Sequence, residues 1–483
     1  MITYNRKTYE FLIGYLFIFL SAVSAIISIV ISLTYSAPRV GLEYLFMLPI
    51  LFLSFIFISY KVYLIRYRTF ALPVFFTILI FRYAISPALI YITRELNYTR
   101  MVPNANNYQL AVIVSIFELL FVFIALNIYY KRYNTGKIIS FNIFNNKIGD
   151  PKSINIYQLL IILFLTMFLI ARNENFVDGL YFLIPNDSYY NSGAYEGIVF
   201  LALKTFLFLK ILVFAKSQTK FRLFFFLLSV IFFLINVSLS YGNNRSLIVI
   251  NFLSSVIVFI NAYPKQSKII MLGIVPIVSL FILSLIFFKQ FGDNLGIVME
   301  FDIPVQKLSE DIEMYINGMW PLASSFEIIE NGFFSNSILI VQIYTDFVKN
   351  FFPFLIPGFN FPISIVSNIN TTAMIYNLNT NGIGAMFPLA GQIFSYFGFY
   401  FGFIINIAAN FYIIKLLVRY DFLSVRSKSL ELSYYYNWLS ILFAFVMNYT
   451  LITFVWSWSK NIFLIYLLIM VGRIMVPKLR FRK

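Results

Sequence analysis

Apolar runs of about 20 residues recur along almost the whole chain, and each is long enough to cross the hydrocarbon core of a bilayer. Of 483 residues, 60% are hydrophobic, 20% aromatic and only 12% charged, which is more apolar surface than a soluble fold of this size can hide. The sequence therefore predicts an all-α polytopic integral membrane protein. About twelve transmembrane helices are expected, near residues 11–33, 42–60, 70–91, 108–130, 154–171, 197–214, 223–239, 247–262, 269–288, 390–414, 434–454 and 462–475. The first run is longer than a signal-peptide core and no Ala-x-Ala type cleavage site follows it, so it counts as a helix. Residues 1–483 read as one polytopic membrane domain.

The formal charge of +16 sits in short Lys and Arg clusters between the apolar runs, where topology signals belong, and does not call for nucleic acid. Alternate connections carry most of it. One side holds Arg6 and Lys7, then Lys61, Arg66 and Arg68, then Lys131 and Arg132, and finally Lys478, Arg480, Arg482 and Lys483. Basic residues accumulate in loops that stay cytoplasmic, so both termini are expected inside. The one long connection, residues 289–388 between the ninth and tenth spans, then falls on the outer side and is too long for a simple linker. Trp320-Pro321, the run from Phe351 to Gly358 and the polar stretch from Asn377 to Gly384 suggest short amphipathic or re-entrant pieces within it, or an aromatic-rich loop lying on the interface. No internal repeat is visible, which weakens transporter folds built from duplicated halves.

Cysteine and histidine are both absent. That removes disulfides, thiolate or imidazole metal sites, and Cys or His nucleophiles and bases. No Asp-x-Asp occurs either, so no metal and no cofactor are expected. What is left for chemistry is Asp, Glu, Tyr, Lys and Arg. Charged residues inside spans are costly unless paired or wet, which makes each a candidate. Arg82 lies roughly 14 Å from the outer end of the third span, and Glu118 lies at a similar depth in the fourth. Matched depth permits an ion pair, either one that only fixes helix packing or a cationic group with its orienting carboxylate. Lys204 faces the outer half of the sixth span and is a candidate anion ligand, whereas Lys210 lies deeper and is expected to snorkel to the inner interface.

The sharpest local signal is Tyr241-Gly242-Asn243-Asn244-Arg245-Ser246, a polar turn joining the seventh and eighth spans on the outer side. Arg245 is expected to open a helix. Free backbone N–H groups there, with a guanidinium that binds phosphate in bidentate fashion, suit a pyrophosphate; the plain alternative is an interfacial arginine anchoring a tight turn. A second signal is Asn381-Gly382-Ile383-Gly384 followed by Gly391-Gln392 and Tyr396, with Gly398 and Gly402 in a G-x-x-x-G spacing that usually means helix packing.

A Gly-Asn-Asn-Arg-Ser turn entering a span, a large late outer loop, and a Gly-x-Gly segment leading into Gln392, Tyr396, Gly398 and Gly402 resemble Wzy-type oligosaccharide repeat-unit polymerases, which build O-antigen and capsular polysaccharide. The resemblance implies a glycosyltransferase of the bacterial cytoplasmic membrane. It would move a growing glycan from its undecaprenyl pyrophosphate carrier to an incoming lipid-linked repeat, with membrane lipid around it and a chain-length regulator as a further possible partner. On that reading Arg245, Arg82, Lys204 and Arg172 are the pyrophosphate-binding candidates. Asn243, Asn244, Asn381, Gly382, Gly384, Gln392 and Tyr396 are those for the rest of the substrate. An anionic leaving group needs only Arg or Lys to stabilise it. A base for the acceptor hydroxyl must be Asp, Glu, Tyr or Lys, and Glu327 and Asp346 in the long loop are the candidates beside Arg245 as catalytic residues. An O-antigen ligase-like transferase shares the plan, but such ligases rely on a loop histidine that this chain lacks. A lipid-linked oligosaccharide flippase is the alternative without chemistry, and short loops with two similar halves would mark it.

Overall fold

The computed structural model describes residues 2–35, 38–64, 71–93, 103–134, 160–167, 180–182, 194–217, 220–241, 245–266, 318–330, 388–427, 429–448 and 462–474, together with isolated positions that include Glu313. The named helices are α1 (Ile2–Thr34), α2 (Met47–Leu64), α3 (Ala71–Ile80), α4 (Ser86–Thr93), α5 (Ala105–Asn134) and α6 (Ala194–Ser217). They continue as α7 (Arg222–Ser238), α8 (Arg245–Ala262), α9 (Met319–Glu330), α10 (Leu389–Arg426), α11 (Leu430–Phe445) and α12 (Phe463–Ile474). Strand β1 (Leu180–Phe182) pairs antiparallel with β2 (Leu239–Tyr241), and Leu180 stands opposite Tyr241.

Most of the described helices overlap apolar runs, as expected where a backbone in lipid must satisfy its own hydrogen bonds, which a continuous helix does; α9 falls instead in the long connection. Among the described residues four stretches are long and apolar enough to cross a membrane, namely Tyr15–Thr34, Ala71–Thr93, Ala105–Lys131 and Leu389–Arg426. Of the expected fifth span only residues 160–167 are described, and the expected ninth lies almost wholly outside the described residues.

The chain divides by its internal contacts into two compact units. The first comprises Met1–Lys137, Phe301–Arg419 and Ile441–Val455. Here α1 packs on α2, and α2 on α5. Phe123 of α5 anchors the packing: Phe55 stacks on it at 5.0 Å, while Phe52 and Phe76 lie 5.9 Å and 6.4 Å away. The second unit comprises Ile138–Glu300, Tyr420–Ser440 and Trp456–Lys483. In it α7 packs between α6 and α8, and Phe233 stacks on Phe259 at 5.3 Å.

The expected tenth span, 390–414, is not one straight helix. Gly398 takes φ 69° and ψ −177°, a left-handed φ that an L side chain adopts only under strain, and the helix breaks there. The break is sharp enough for Gly402 to lie against Phe394, which a straight helix would hold roughly 12 Å away. The helix after the break continues to Arg426 and so passes the expected inner end at Ile414. The G-x-x-x-G spacing therefore serves a fold-back rather than a helix–helix seam: Gly398 makes the turn, and Gly402 leaves room for Phe394.

Candidate functional site

The first unit buries a polar cluster inside its apolar helices. It begins where α3 gives way to a π turn, Phe81–Ile85, before α4. Pro87 explains the position, because it has no N–H and its ring crowds the carbonyl four residues back, that of Tyr83. The turn widens, and the Ser86 N–H bonds to the Phe81 carbonyl instead. Arg82 and Tyr83 project from it. Arg82 Nη2 donates to Glu118 Oε2 at 2.9 Å, and Nη1 donates to the Met447 carbonyl at 3.0 Å. The Tyr83 hydroxyl donates to the same Glu118 oxygen at 2.9 Å. All three side chains are buried. The expected ion pair is thus present, and each acceptor site of Glu118 Oε2 is filled by a donor that burial alone would leave costly. Arg82 Nε and Glu118 Oε1 find no hydrogen-bond partner among the described residues.

A second carboxylate belongs to this cluster, and sequence reasoning missed it. Glu313, fully buried, accepts from Ser86 Oγ through Oε1 and from the Trp320 N–H through Oε2 at 3.0 Å. Its own carbonyl accepts from the Gly318 N–H at 2.9 Å. Glu313 therefore caps the N-terminus of α9, where unpaired N–H groups favour a negative charge. Burial nonetheless lifts its carboxyl from the usual carboxylate range to about 7, against the pull of the Trp320 and Met319 N–H groups and of the Arg82 charge. The only sequence signal was an acidic residue a few positions ahead of Met319-Trp320-Pro321, a helix start with proline in its first turn.

Glu327, a candidate base in the long loop, is placed on α9 against the start of α5. Its Oε2 accepts from the Asn104 N–H at 2.9 Å and from Asn107 Nδ2 at 2.8 Å, and Glu330 Oε2 bonds to both asparagine side chains. Asn104 itself caps α5 by accepting from the Asn107 N–H at 2.9 Å. Gln392 and Tyr396 share one buried face before the Gly398 break, with Gln392 Nε2 donating to the Tyr396 hydroxyl at 2.7 Å. Gly391 lies against Ser325 of α9, a contact that leaves no room for a Cβ, and Phe326 meets Phe394 at 5.1 Å. The loop motif at Trp320 and the motif at Gln392, at the start of the expected tenth span, thus come together as two helical segments in contact.

In the second unit Lys204 is held differently from an open anion ligand. Its Nζ donates to the carbonyls of Asn236, at 2.8 Å, and Leu239, and so caps the C-terminal end of α7, where a cation is favoured. Thr205 continues the polar contact by bonding to Asn236 Oδ1 at 3.0 Å, and Asn236 Nδ2 donates to Ser255 at 2.9 Å. We expect Lys204→Met to lower thermal stability by about 1–3 kcal/mol, since buried carbonyls lose their donor. An unchanged melting temperature in detergent would leave the ammonium with no capping role. Lys210, expected to snorkel, pairs with Glu431 at 2.7 Å.

Arg245 is the first residue of α8, as the sequence predicts, four positions after β2 ends at Tyr241. Arg172, Asn243, Asn244, Asp346, Asn381, Gly382 and Gly384 lie outside the described residues. Among the described residues no three acidic side chains gather as metal ligands would.

By length and composition of its helices, and with ionised side chains paired inside them, the chain takes its place among helical, multi-pass membrane proteins. Comparison with protein-family models, curated proteins and solved structures yields no match.

Proposed function

We propose that this chain is a repeat-unit polymerase: a membrane glycosyltransferase that moves a growing glycan from undecaprenyl pyrophosphate to a lipid-linked repeat unit on the outer leaflet of a bacterial cytoplasmic membrane. The proposal takes both termini as cytoplasmic and counts about twelve spans. The observation that carries it is the start of α8. Arg245 is the first residue of α8, preceded in sequence by Gly242-Asn243-Asn244, and a helix start leaves backbone N–H groups that can meet an anion together with an arginine. Such donors can stabilise an anionic pyrophosphate leaving group without a metal.

A flippase is the second reading. Paired ions buried within helices, as at Arg82 and Glu118, also suit a protein that only moves its cargo. One experiment separates the two: purified protein in liposomes is given the matched undecaprenyl-pyrophosphate repeat unit, and the products are resolved by length. We expect a ladder of polymer, undiminished by EDTA. Loss of the ladder in EDTA with recovery on adding magnesium or manganese would overturn the metal-free mechanism, and absence of any ladder under all conditions would favour the flippase.

A further inference from the structure

We propose that Glu313 is a proton-operated latch that fastens α9 to the bulged third span. The inference is independent of the glycan chemistry above. Three contacts define the latch. The carboxylate reaches across to Ser86, the first residue after the π turn, and caps the start of α9 through the Trp320 N–H. Gly318 closes the third side. A Cβ there would occupy the place of the carboxylate, so only glycine lets Glu313 lie flat against the chain. No other side chain links α9 to Ser86 among the described hydrogen bonds, while Glu327 and Glu330 hold the far end of α9 to Asn104 and Asn107.

The surroundings set the direction in which protons act. Among the described residues, Arg82 from the π turn and Tyr108 from α5 are the charged or titratable groups whose fields reach Glu313, and Arg82 is already committed to Glu118. Burial outweighs these influences, and the buried carboxyl titrates near 7 against an ordinary 4.5. The sign is that of a raised acid. Below about pH 4.5 the buried and the released forms are both protonated and the latch is at full strength; it weakens as pH rises and is weakest above about 7, where the buried site holds an ion that water would solvate better. Linkage across that window gives a change in opening of about 10²-fold at most.

The chain has no cysteine, so one introduced thiol reports on α9 alone. Ser324 lies on the buried face of α9, 8% exposed, and tolerates the near-isosteric Ser324→Cys change. Its rate of maleimide labelling in detergent, divided by that of Lys131→Cys at an exposed site in the same buffer, cancels the pH dependence of the reagent. We expect the ratio to rise tens-fold between about pH 5 and pH 8, with a midpoint near 7. Glu313→Gln keeps the shape without the charge and should hold the ratio low and flat. Gly318→Ala should expel the carboxylate and hold it high and flat. A ratio in the otherwise unaltered protein that does not change with pH overturns the latch, as does a Gly318→Ala protein that labels like its parent.

Discussion

Replacing Arg245 by alanine is expected to lower polymer formation per folded molecule by about 10² or more, the scale of a lost transition-state donor. Arg245 is the first residue of α8, where a helix leaves backbone N–H groups without intrahelical partners, and arginine is the side chain whose planar fork matches a phosphate. Arg245→Lys should retain weak activity, because an ammonium keeps the charge and loses the fork. Turnover per folded molecule is the quantity to measure, since a folding defect would lower polymer yield through abundance alone. If Arg245→Ala accumulates normally and builds the full ladder at the parental rate, Arg245 anchors a turn and does nothing to the pyrophosphate.

The second large effect lies at the buried pair. Arg82→Ala leaves the Glu118 carboxylate without its cation, and Glu118→Ala leaves both Arg82 and the Tyr83 hydroxyl without an acceptor. Either change should cost about 3–5 kcal/mol, a large share of the stability of a folded chain. Removing the charges and the hydroxyl together, as Arg82→Met with Glu118→Leu and Tyr83→Phe, should recover most of that loss, because an apolar set in an apolar bundle strands neither an ion nor a buried hydroxyl. Heating purified protein and following the fraction that stays monodisperse gives the comparison. Single variants as heat-resistant as the parent would show that the pair is not needed to hold the helices together.

Much of this is legible in the sequence, and for a physical reason. Helix ends such as Arg222–Ser238 and Arg245–Ala262 follow the hydropathy closely, because in lipid the apolar stretch and the helix are the same object. Arg82 and Glu118 could be matched by depth alone, since rise per residue converts sequence position into height. Glu313 could not. It sits in a connection where no apolar period fixes height, and only the tertiary contact of α9 with α5 brings it to Ser86. Gly398 was visible as a glycine, but its spacing with Gly402 pointed to packing between helices, and nothing local distinguishes that from a fold-back. Lys204 was read by depth as an anion ligand, and the carbonyls that occupy it come from the end of another helix.

The π turn at Phe81–Ile85 also sets the phase of everything after it. A wider turn holds one residue more than the α-helical count, and one residue is about 100° around a helix axis. Helix α4 is therefore rotated relative to α3 by that much. The offset lets Arg82 and Tyr83 meet Glu118 on one neighbour while Ser86, one turn on, meets Glu313 from another quarter. Shortening the chain by one residue within the turn would give a more regular helix that is out of register with one partner or the other.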